Sequence, residues 1–277
     1  MSAAAHARGE HRHLFRRIWP ALGIALVLTA ADVQTTRADD ITAIYQAFWA
    51  GLPAAEIRLK FHDGDAGYHD EIEIRTKGLA SLLTRFRATA LVDGRLDVAR
   101  LAEPSRYLAV YDLRKRLDRH VSLLFASRAG AAIAERGSDD TSRKPPLAED
   151  FRRNAVDPLT ALERIRRALR ARSFGGENPF VIPVYDGARR FDVIGRVPPS
   201  KEAMPNLKRV ELTLRPIAGF KGQTSEDGDP DDAPRPVELL VTNDARILPL
   251  SLKVSMFFMP LIVQFDRLCT MSEPCPG

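Results

Sequence analysis

The sequence predicts a mainly β protein, folded as a highly curved antiparallel sheet or an open β-barrel wrapped around one amphipathic helix. The first observation is that apolar and polar residues alternate along most of the chain from Ile41 onward. Side chains on a strand point to opposite faces in turn, so each such segment has one apolar and one solvated face. Sheets with one solvated face are typically antiparallel. The other two observations are turn dipeptides between the strands and a single stretch of helical periodicity.

The alternation is clearest in residues 57–62, 71–75 and 209–215. Further strand candidates are 43–50, 88–99, 105–112, 117–126, 180–186, 190–197, 236–242, 247–257 and 261–268. Tight turns are predicted at three dipeptides of suitable composition, Asp93-Gly94, Asp186-Gly187 and Asn243-Asp244. About a dozen strands in a domain of this size predict a sheet that curls on itself.

One amphipathic helix is predicted over residues 158–172. Asp157 is a suitable N-cap, Pro158 fits the first helical position, and Gly175 with Gly176 ends the helix. Apolar residues recur at spacings of three and four, at Leu159, Leu162, Ile165 and Leu169. This stripe is expected to plug the concave side of the sheet, and the opposite face to be solvated. The opposite face carries Glu163, Arg164, Arg166, Arg167, Arg170 and Arg172. Residues 79–86 form either a second, shorter helix or an irregular crossover.

The N-terminus has the layout of a secretory signal peptide. Residues 1–17 are basic, 18–31 are uncharged and apolar, and small residues follow. The apolar run is shorter than the roughly 20 residues of a membrane-spanning helix. Cleavage is predicted after Ala38, with Ala31 as the second choice and an uncleaved anchor as the alternative. Residues 39–277 are then a single β-rich domain in the periplasm, not an integral membrane protein once processed.

Charge and motif content exclude several classes of function. The chain of 277 residues has a formal net charge of +5, but residues 39–277 hold 36 Lys and Arg against 34 Asp and Glu. Nucleic-acid-binding proteins usually carry a much larger positive excess, so no nucleic-acid partner is predicted. The chain lacks Gly-x-Ser-x-Gly, Ser-x-x-Lys, Cys-x-x-Cys and phosphate-loop motifs. No catalytic residue and no cofactor is therefore predicted, although dispersed Asp or Glu residues could still converge in the fold.

Two acidic clusters have the residue types of metal sites. Histidines and carboxylates gather within residues 62–71, and aspartates within 227–232. The first cluster has no distant third ligand, and the second lacks the glutamate of a calcium loop. A polar hairpin tip and a solvated acidic loop are the favoured interpretations, so no metal is predicted.

The remaining features concern the tail, the loops and the helix. Cys269 and Cys275 are expected to pair in an oxidising compartment, with free thiols as the alternative. Residues 137–149 and 223–236 are polar and proline-rich and are expected to be mobile. Arg164, Arg167 and Arg170 offer a contact for an anionic surface, although the solvated face of an amphipathic helix is the favoured interpretation. The apolar run 257–263, with Tyr45, Phe48 and Trp49, either lines a cavity or forms plain core.

Four segments resemble a family of uncharacterised exported bacterial proteins, domain of unknown function 3108. They are 45–51 (YQAFWAG), 156–159 (VDPL), 182–191 (IPVYDGARRF) and 244–249 (DARILP). Each is a turn, a cap or a hairpin, so the resemblance implies a β-rich envelope protein and transfers no catalytic residue. The acidic insertion at 223–236 departs from the family pattern.

Three functions fit these observations. The first is a non-enzymatic periplasmic protein that binds a lipid, another apolar envelope ligand or a cell-envelope partner. The second is an envelope hydrolase that uses dispersed Asp and Glu residues. The third is a scaffold with a filled core that acts only through its surface. A dry apolar cavity without carboxyl groups favours the first, and a cleft with two carboxyl groups favours the second.

Overall fold

The computed structural model describes residues 39–83, 85–113, 116–128, 131–141, 145–171, 179–199, 206–220, 233–256, 259–269 and 275. The predicted leader, 1–38, lies outside these residues. The strands are β1 (Asp39–Trp49), β2 (Leu52–Asp63), β3 (Gly67–Thr76), β4 (Arg87–Leu96), β5 (Ala102–Leu113), β6 (Arg116–Arg128), β7 (Ala131–Arg136), β8 (Phe180–Tyr185), β9 (Arg190–Arg196), β10 (Leu207–Ala218), β11 (Arg235–Thr242), β12 (Pro249–Met256) and β13 (Met259–Cys269). The helices are α1 (Gly78–Leu83), α2 (Glu149–Arg152) and α3 (Pro158–Arg170).

All the described strands belong to one antiparallel sheet, which a short segment closes into a barrel. The strand order is β7-β6-β5-β4-β3-β2-β1-β13-β12-β11-β10-β9-β8, so β7 and β8 lie at its two edges. Residues 153–156 fill the seam between these edges. Arg153 forms a bridge with Ile133 of β7, and Val156 forms a parallel bridge with Val184 of β8. The mainly β, barrel-like fold predicted from the sequence is confirmed.

Helix α3 follows the seam segment directly and lies inside the barrel. The Asp157 carboxylate accepts hydrogen bonds from the backbone N–H groups of Leu159 and Thr160, both at 2.9 Å, as an N-cap does. Ile165 and Leu169 are buried, and so is Leu159. Helix α3 therefore begins at the residue that the sequence predicts, and its apolar stripe faces the barrel wall.

The helix lies toward one end of the barrel, which we call the helix end. The Arg164 guanidinium donates to the carbonyl of Ala102, at the start of β5. Lys208, at the start of β10, donates to the carbonyl of Leu169 in the last turn of α3. The opposite end, which we call the pocket end, carries the β1–β2, β8–β9, β10–β11 and β12–β13 connections.

The barrel interior is packed as three apolar clusters around α3. Ile165 and Leu169 pack with β8–β12, Leu159 packs with β3–β7, and Leu162 packs with a cluster drawn mainly from β1 and β2. Fully burying one such side chain stabilises the fold by about 1.5–3 kcal/mol. One helix thus supplies core contacts to nearly the whole circumference of the sheet.

Two elements differ from the sequence-based expectation. Strand β7 was not among the predicted strands, because its sequence AAIAER is short and rich in alanine, a weak strand former. Asp93-Gly94 does not form a turn but lies within β4, where the pairing register with β5 shifts as in a β-bulge. A Cβ atom on Gly94 would collide with the Tyr68 ring. Glycine is needed there for close packing.

The other turn and loop predictions fall in several places. Asp186-Gly187 connects β8 to β9, with Gly187 at φ +93°, and Asn243-Asp244 connects β11 to β12. Residues 142–144 and 221–232 lie outside the described part of the chain, so the mobility of both long loops stays a prediction. Among the described residues, no helix is both long and apolar enough to span a membrane.

The structure joins Cys269, the last residue of β13, to Cys275 in a disulfide, with their Cα atoms 5.1 Å apart. The loop it closes is short, so the chain-entropy model assigns it only about 2 kcal/mol. We expect the double variant Cys269→Ser/Cys275→Ser to lose about that much free energy of unfolding in urea denaturation. Reducing the native protein should give the same loss, since the chain has two cysteines in all. An unchanged midpoint after reduction would contradict this prediction.

Candidate functional site

A network of charged side chains fills the space between α3 and the end of β2. Glu163 and Arg166, with 0% and 1% of their side chains exposed, form an ion pair at 2.5 Å. Asp63, the last residue of β2, lies 3.0 Å from Arg167, 3.2 Å from Arg170 and 3.5 Å from Arg166. Glu163 also pairs with Arg167. Two carboxylates therefore share three guanidiniums across the boundary between helix and wall.

Arg166 is the centre of this network. Its guanidinium lies 3.6 Å from the centroid of the Phe61 ring and donates to the carbonyl of Arg246 at 3.1 Å. Burial raises the pKa of Asp63, but the nearby arginines, Arg166 first, outweigh burial and hold that pKa below its usual value. Burial raises the pKa of Glu163 despite the same neighbour. The ion pairs hold α3 against β2 and the β11–β12 turn.

Asp70 of β3 is buried beside this network without a partner of its own. It lies opposite Phe61 in the β2–β3 register, and its side chain is fully buried. Within the described residues, neither carboxyl oxygen has a hydrogen-bond partner. Burial, together with the negative charge of Glu163, raises the pKa of Asp70 to about 8. At neutral pH the carboxyl group is therefore mostly protonated.

The centre of the charged face of α3 is buried, so the prediction that this face is solvated is wrong there. Glu163 and Arg166 are buried, because the barrel surrounds the helix and β2 supplies counter-charges that lie far away in the sequence. Arg164 binds the Ala102 carbonyl at 2.8 Å, and Arg167 and Arg170 bind Asp63. Contact of Arg164, Arg167 and Arg170 with an anionic surface stays a prediction. Arg172 lies outside the described residues.

The N-terminus of α3 is held by a second buried polar group. The Tyr68 hydroxyl lies 2.6 Å from the Thr160 hydroxyl, which donates to the Asp157 carboxylate at 2.5 Å. Burial raises the pKa of Asp157 to about 6, although its hydrogen bonds with Thr160 and Leu159 oppose the rise. The close approach of Tyr68 to Gly94 thus serves to position the helix.

The β2–β3 hairpin brings the two histidines of the first acidic cluster together, but the two histidines pair with different carboxylates. His62 and His69 are directly opposite each other. His62 pairs with Asp40, and His69 pairs with Glu71 and Asp93. No group of three or more side chains suited to a metal ion occurs in the described residues. Residues 227–232, the second cluster, lie outside them.

An apolar pocket opens at the pocket end of the barrel, away from the charged network. Its volume is about 180 Å³, and its lining residues are Arg189, Phe191, Leu214, Pro216, Phe220 and Arg235. Phe191 and Pro216 face each other across β9 and β10, and Leu214 pairs with Arg235 across β10 and β11. Phe191 and Leu214 also pack against the core around α3. The pocket floor is therefore continuous with the barrel core.

The described lining of the pocket includes two guanidiniums and no carboxyl group. The Arg189 guanidinium lies 5.6 Å from the centroid of the Phe220 ring and 2.9 Å from Asp186. Arg235, the first residue of β11, also lines the pocket. Aromatic and aliphatic walls suit an apolar group.

The residues that the sequence offered as a cavity lining lie elsewhere. Tyr45 is buried in the core, Phe48 is half-buried, and Trp49 is exposed at a hairpin tip. Residues 257 and 258 lie outside the described part, and 261–263 belong to β13. Strand alternation placed Leu214 on an apolar face, but its convergence with Phe191 depends on strand pairing that spacing alone does not reveal.

The fold and the pocket define a class: a β-barrel-like protein with an internal helix and an apolar pocket at one end. The family model described as protein of unknown function (DUF3108) matches residues 44–258, and the chain belongs to this family. None of the curated proteins matches the sequence. A similar solved structure is a beta-barrel-like protein of domain of unknown function DUF1849 from Brucella abortus, with a TM-score of 0.53 and 12% identity. The match covers 84% of this chain and 98% of that one, and it supports the fold alone.

Proposed function

We propose that this protein is exported to the periplasm and binds, without catalysis, a lipid or another apolar envelope ligand. The observation that carries the proposal is the apolar pocket between β9, β10 and β11, with Arg189 and Arg235 in its lining. Burial of the ligand's apolar part drives binding, at roughly 25 cal/mol per Å² before the costs of association.

The pocket volume limits how much of the ligand can enter. Its 180 Å³ slightly exceeds an engineered cavity of about 150 Å³ that holds benzene, and lies below the roughly 300 Å³ of typical small-molecule sites. One ring or one segment of an acyl chain fits, and the rest of the ligand stays outside. The hydrolase hypothesis requires Asp or Glu residues at the ligand site. The buried carboxyl groups of Asp70 and Glu163 do not line this pocket, so a hydrolase is not favoured.

Export is the part of the proposal supported by the sequence of residues 1–38. A basic start, a short apolar run and small residues before Asp39 support cleavage after Ala38. The mass of the protein recovered from the periplasmic fraction should correspond to a chain that starts at Asp39. Recovery only from the cytoplasm, with the leader intact, would overturn the export proposal and leave the pocket proposal standing.

Filling the pocket should abolish ligand binding. In Leu214→Trp the larger indole fills part of the pocket that Leu214 lines, so we expect ligand occupancy to fall at least about tenfold. The measurement is native mass spectrometry of protein purified without detergent, followed by organic extraction. The matched control is Leu124→Trp, the same change at an exposed position on β6, which should keep the ligand. Absence of any extracted amphiphile from the folded native protein, or equal occupancy in Leu214→Trp, would overturn the proposal.

A further inference from the structure

Two neighbouring hairpins project apolar side chains from the pocket end. The β1–β2 turn consists of two residues, Ala50 and Gly51, both with positive φ, and Trp49 pairs with Leu52 across it. Strand β13 lies next to β1, and its first residue, Met259, stands at the adjacent tip. We call Trp49, Leu52 and Met259 the tip patch.

The tip patch is unusually exposed for its composition. Trp49, Leu52 and Met259 are 51%, 56% and 43% exposed. Hairpin tips are convex, so these side chains can enter a soft medium more readily than they can form a groove for a protein. Tryptophan prefers the level of lipid headgroups, because its ring is apolar while its N–H remains in a polar layer.

The charges beside the tip patch also favour contact with a layer of lipid headgroups. The connection from β3 to β4 packs on β2, where the backbone N–H of Lys77 donates to the Ala54 carbonyl. Three exposed cations lie on or near this connection, namely Lys77, Arg85 and Arg87. The carboxylates nearby are Glu56, which is bound to Lys77, and Asp112, opposite Arg87 in the β4–β5 register. Among these described residues the excess is one positive charge, which complements an anionic headgroup layer weakly.

We infer that the tip patch inserts into the interfacial layer of a phospholipid bilayer and places the pocket end of the barrel against it. Insertion is driven mainly by apolar contact, with a small contribution from the basic residues, so it should weaken only slightly at high salt. The inference goes beyond ligand binding, because it holds whether or not the pocket is occupied. It also explains how an apolar ligand would reach the pocket without crossing water.

The test measures binding to vesicles of phosphatidylethanolamine and phosphatidylglycerol. In protein that starts at Asp39, Trp49 is the one remaining tryptophan, so its fluorescence reports the tip directly; for a chain that keeps the leader, Trp19→Phe serves the same purpose. We expect a blue shift of emission on adding vesicles, and quenching by brominated lipid. The variant Leu52→Glu/Met259→Glu should bind vesicles at least about tenfold more weakly, because it loses two apolar contacts and adds charge.

The matched control lies at the other end of the barrel. Val98 and Leu101, in the β4–β5 connection, are 106% and 43% exposed, and Val98→Glu/Leu101→Glu should bind vesicles like the native protein. Equal loss in both double variants, no change in the tip variant, or no shift of Trp49 emission would overturn the inference. Leu214→Trp separates the two proposals, since it should lose the ligand and still sediment with vesicles. Sedimentation is measured here because this variant carries a second tryptophan.

Discussion

Replacing Arg166 with methionine is expected to lower the free energy of unfolding by about 3–5 kcal/mol, the cost of removing one partner from a buried ion pair. The substitution leaves the Glu163 carboxylate buried beside Asp63 with only Arg167 to compensate it. It also removes the guanidinium from the Phe61 ring and from the Arg246 carbonyl. Urea denaturation followed by circular dichroism measures the change.

Two controls separate the buried pair from a general effect of charge. Arg170→Met removes a guanidinium that also binds Asp63 but is 31% exposed, so it should cost no more than about 1 kcal/mol. Removing both partners, in Glu163→Leu/Arg166→Met, should recover much of the loss, because well-packed apolar side chains can replace a buried ion pair. Similar costs for Arg166→Met and Arg170→Met would contradict the burial that the structure shows.

The helix illustrates what sequence periodicity can and cannot predict. Its start follows from local chemistry, since Asp157 and Pro158 act on the first turn alone. The environment of its charged face does not follow from local chemistry, because periodicity shows only that Glu163 and Arg166 lie opposite the leucines. Their burial depends on Asp63 at the end of β2 and on the carbonyl of Arg246, about a hundred and eighty residues apart from each other in the chain. Closure of the barrel brings these partners together.

The sheet shows the same boundary between local and long-range information. Most strands were predictable, since alternation is a local pattern. The closure of the sheet was not, because it depends on residues 153–156 pairing with β7 on one side and β8 on the other. The composition of Asp93-Gly94 predicts a turn. In the structure, glycine is needed at position 94 because the Tyr68 ring of the neighbouring strand leaves no room for a Cβ atom. Such requirements come from contacts between strands.

The pocket and the tip patch differ in how visible they were. Leu214 and Phe191 belong to segments whose apolar faces could be predicted, yet nothing in their spacing distinguishes a pocket lining from plain core. Trp49 and Leu52 flank the turn Ala50-Gly51. Both turn residues have positive φ, and alanine rarely adopts such a value, so Ala50 gives little indication of a turn. The exposure of Trp49 and Leu52 depends on the position of this turn at the end of the barrel, which the sequence pattern does not predict.

The protonation of Asp70 gives the fold a pH dependence whose sign can be worked out. A carboxyl group whose pKa rises from 3.8 to about 8 on folding holds a proton that the unfolded chain releases. Stability therefore falls as pH rises between these two values, and the loss is complete above the higher one. Glu163, Asp63 and Asp157 face Asp70 with like charge, and Arg166 opposes them.

Asp70→Asn should remove this dependence and stabilise the protein at neutral pH. Each unit of pKa shift corresponds to about 1.4 kcal/mol, so a gain of about 2–4 kcal/mol is expected at pH 7 after allowing for the unpaired amide. At pH 4 the variant and the native protein should differ by less than about 1 kcal/mol, since the native carboxyl is then protonated in both states. Urea denaturation at a series of pH values measures the difference between the two curves.

The matched control is Asp93→Asn, on the neighbouring strand β4, where the carboxylate is 56% exposed and pairs with His69. It should change stability by less than about 1 kcal/mol at either pH. The sign of the Asp70→Asn effect at pH 7 decides between two states of the buried acid. If Asp70 were ionised and compensated by Arg166, the variant would leave that guanidinium less well paired and would destabilise the fold. A gain that grows with pH requires Asp70 to be protonated in the folded protein, so that its carboxyl group adds no negative charge to the network around Arg166.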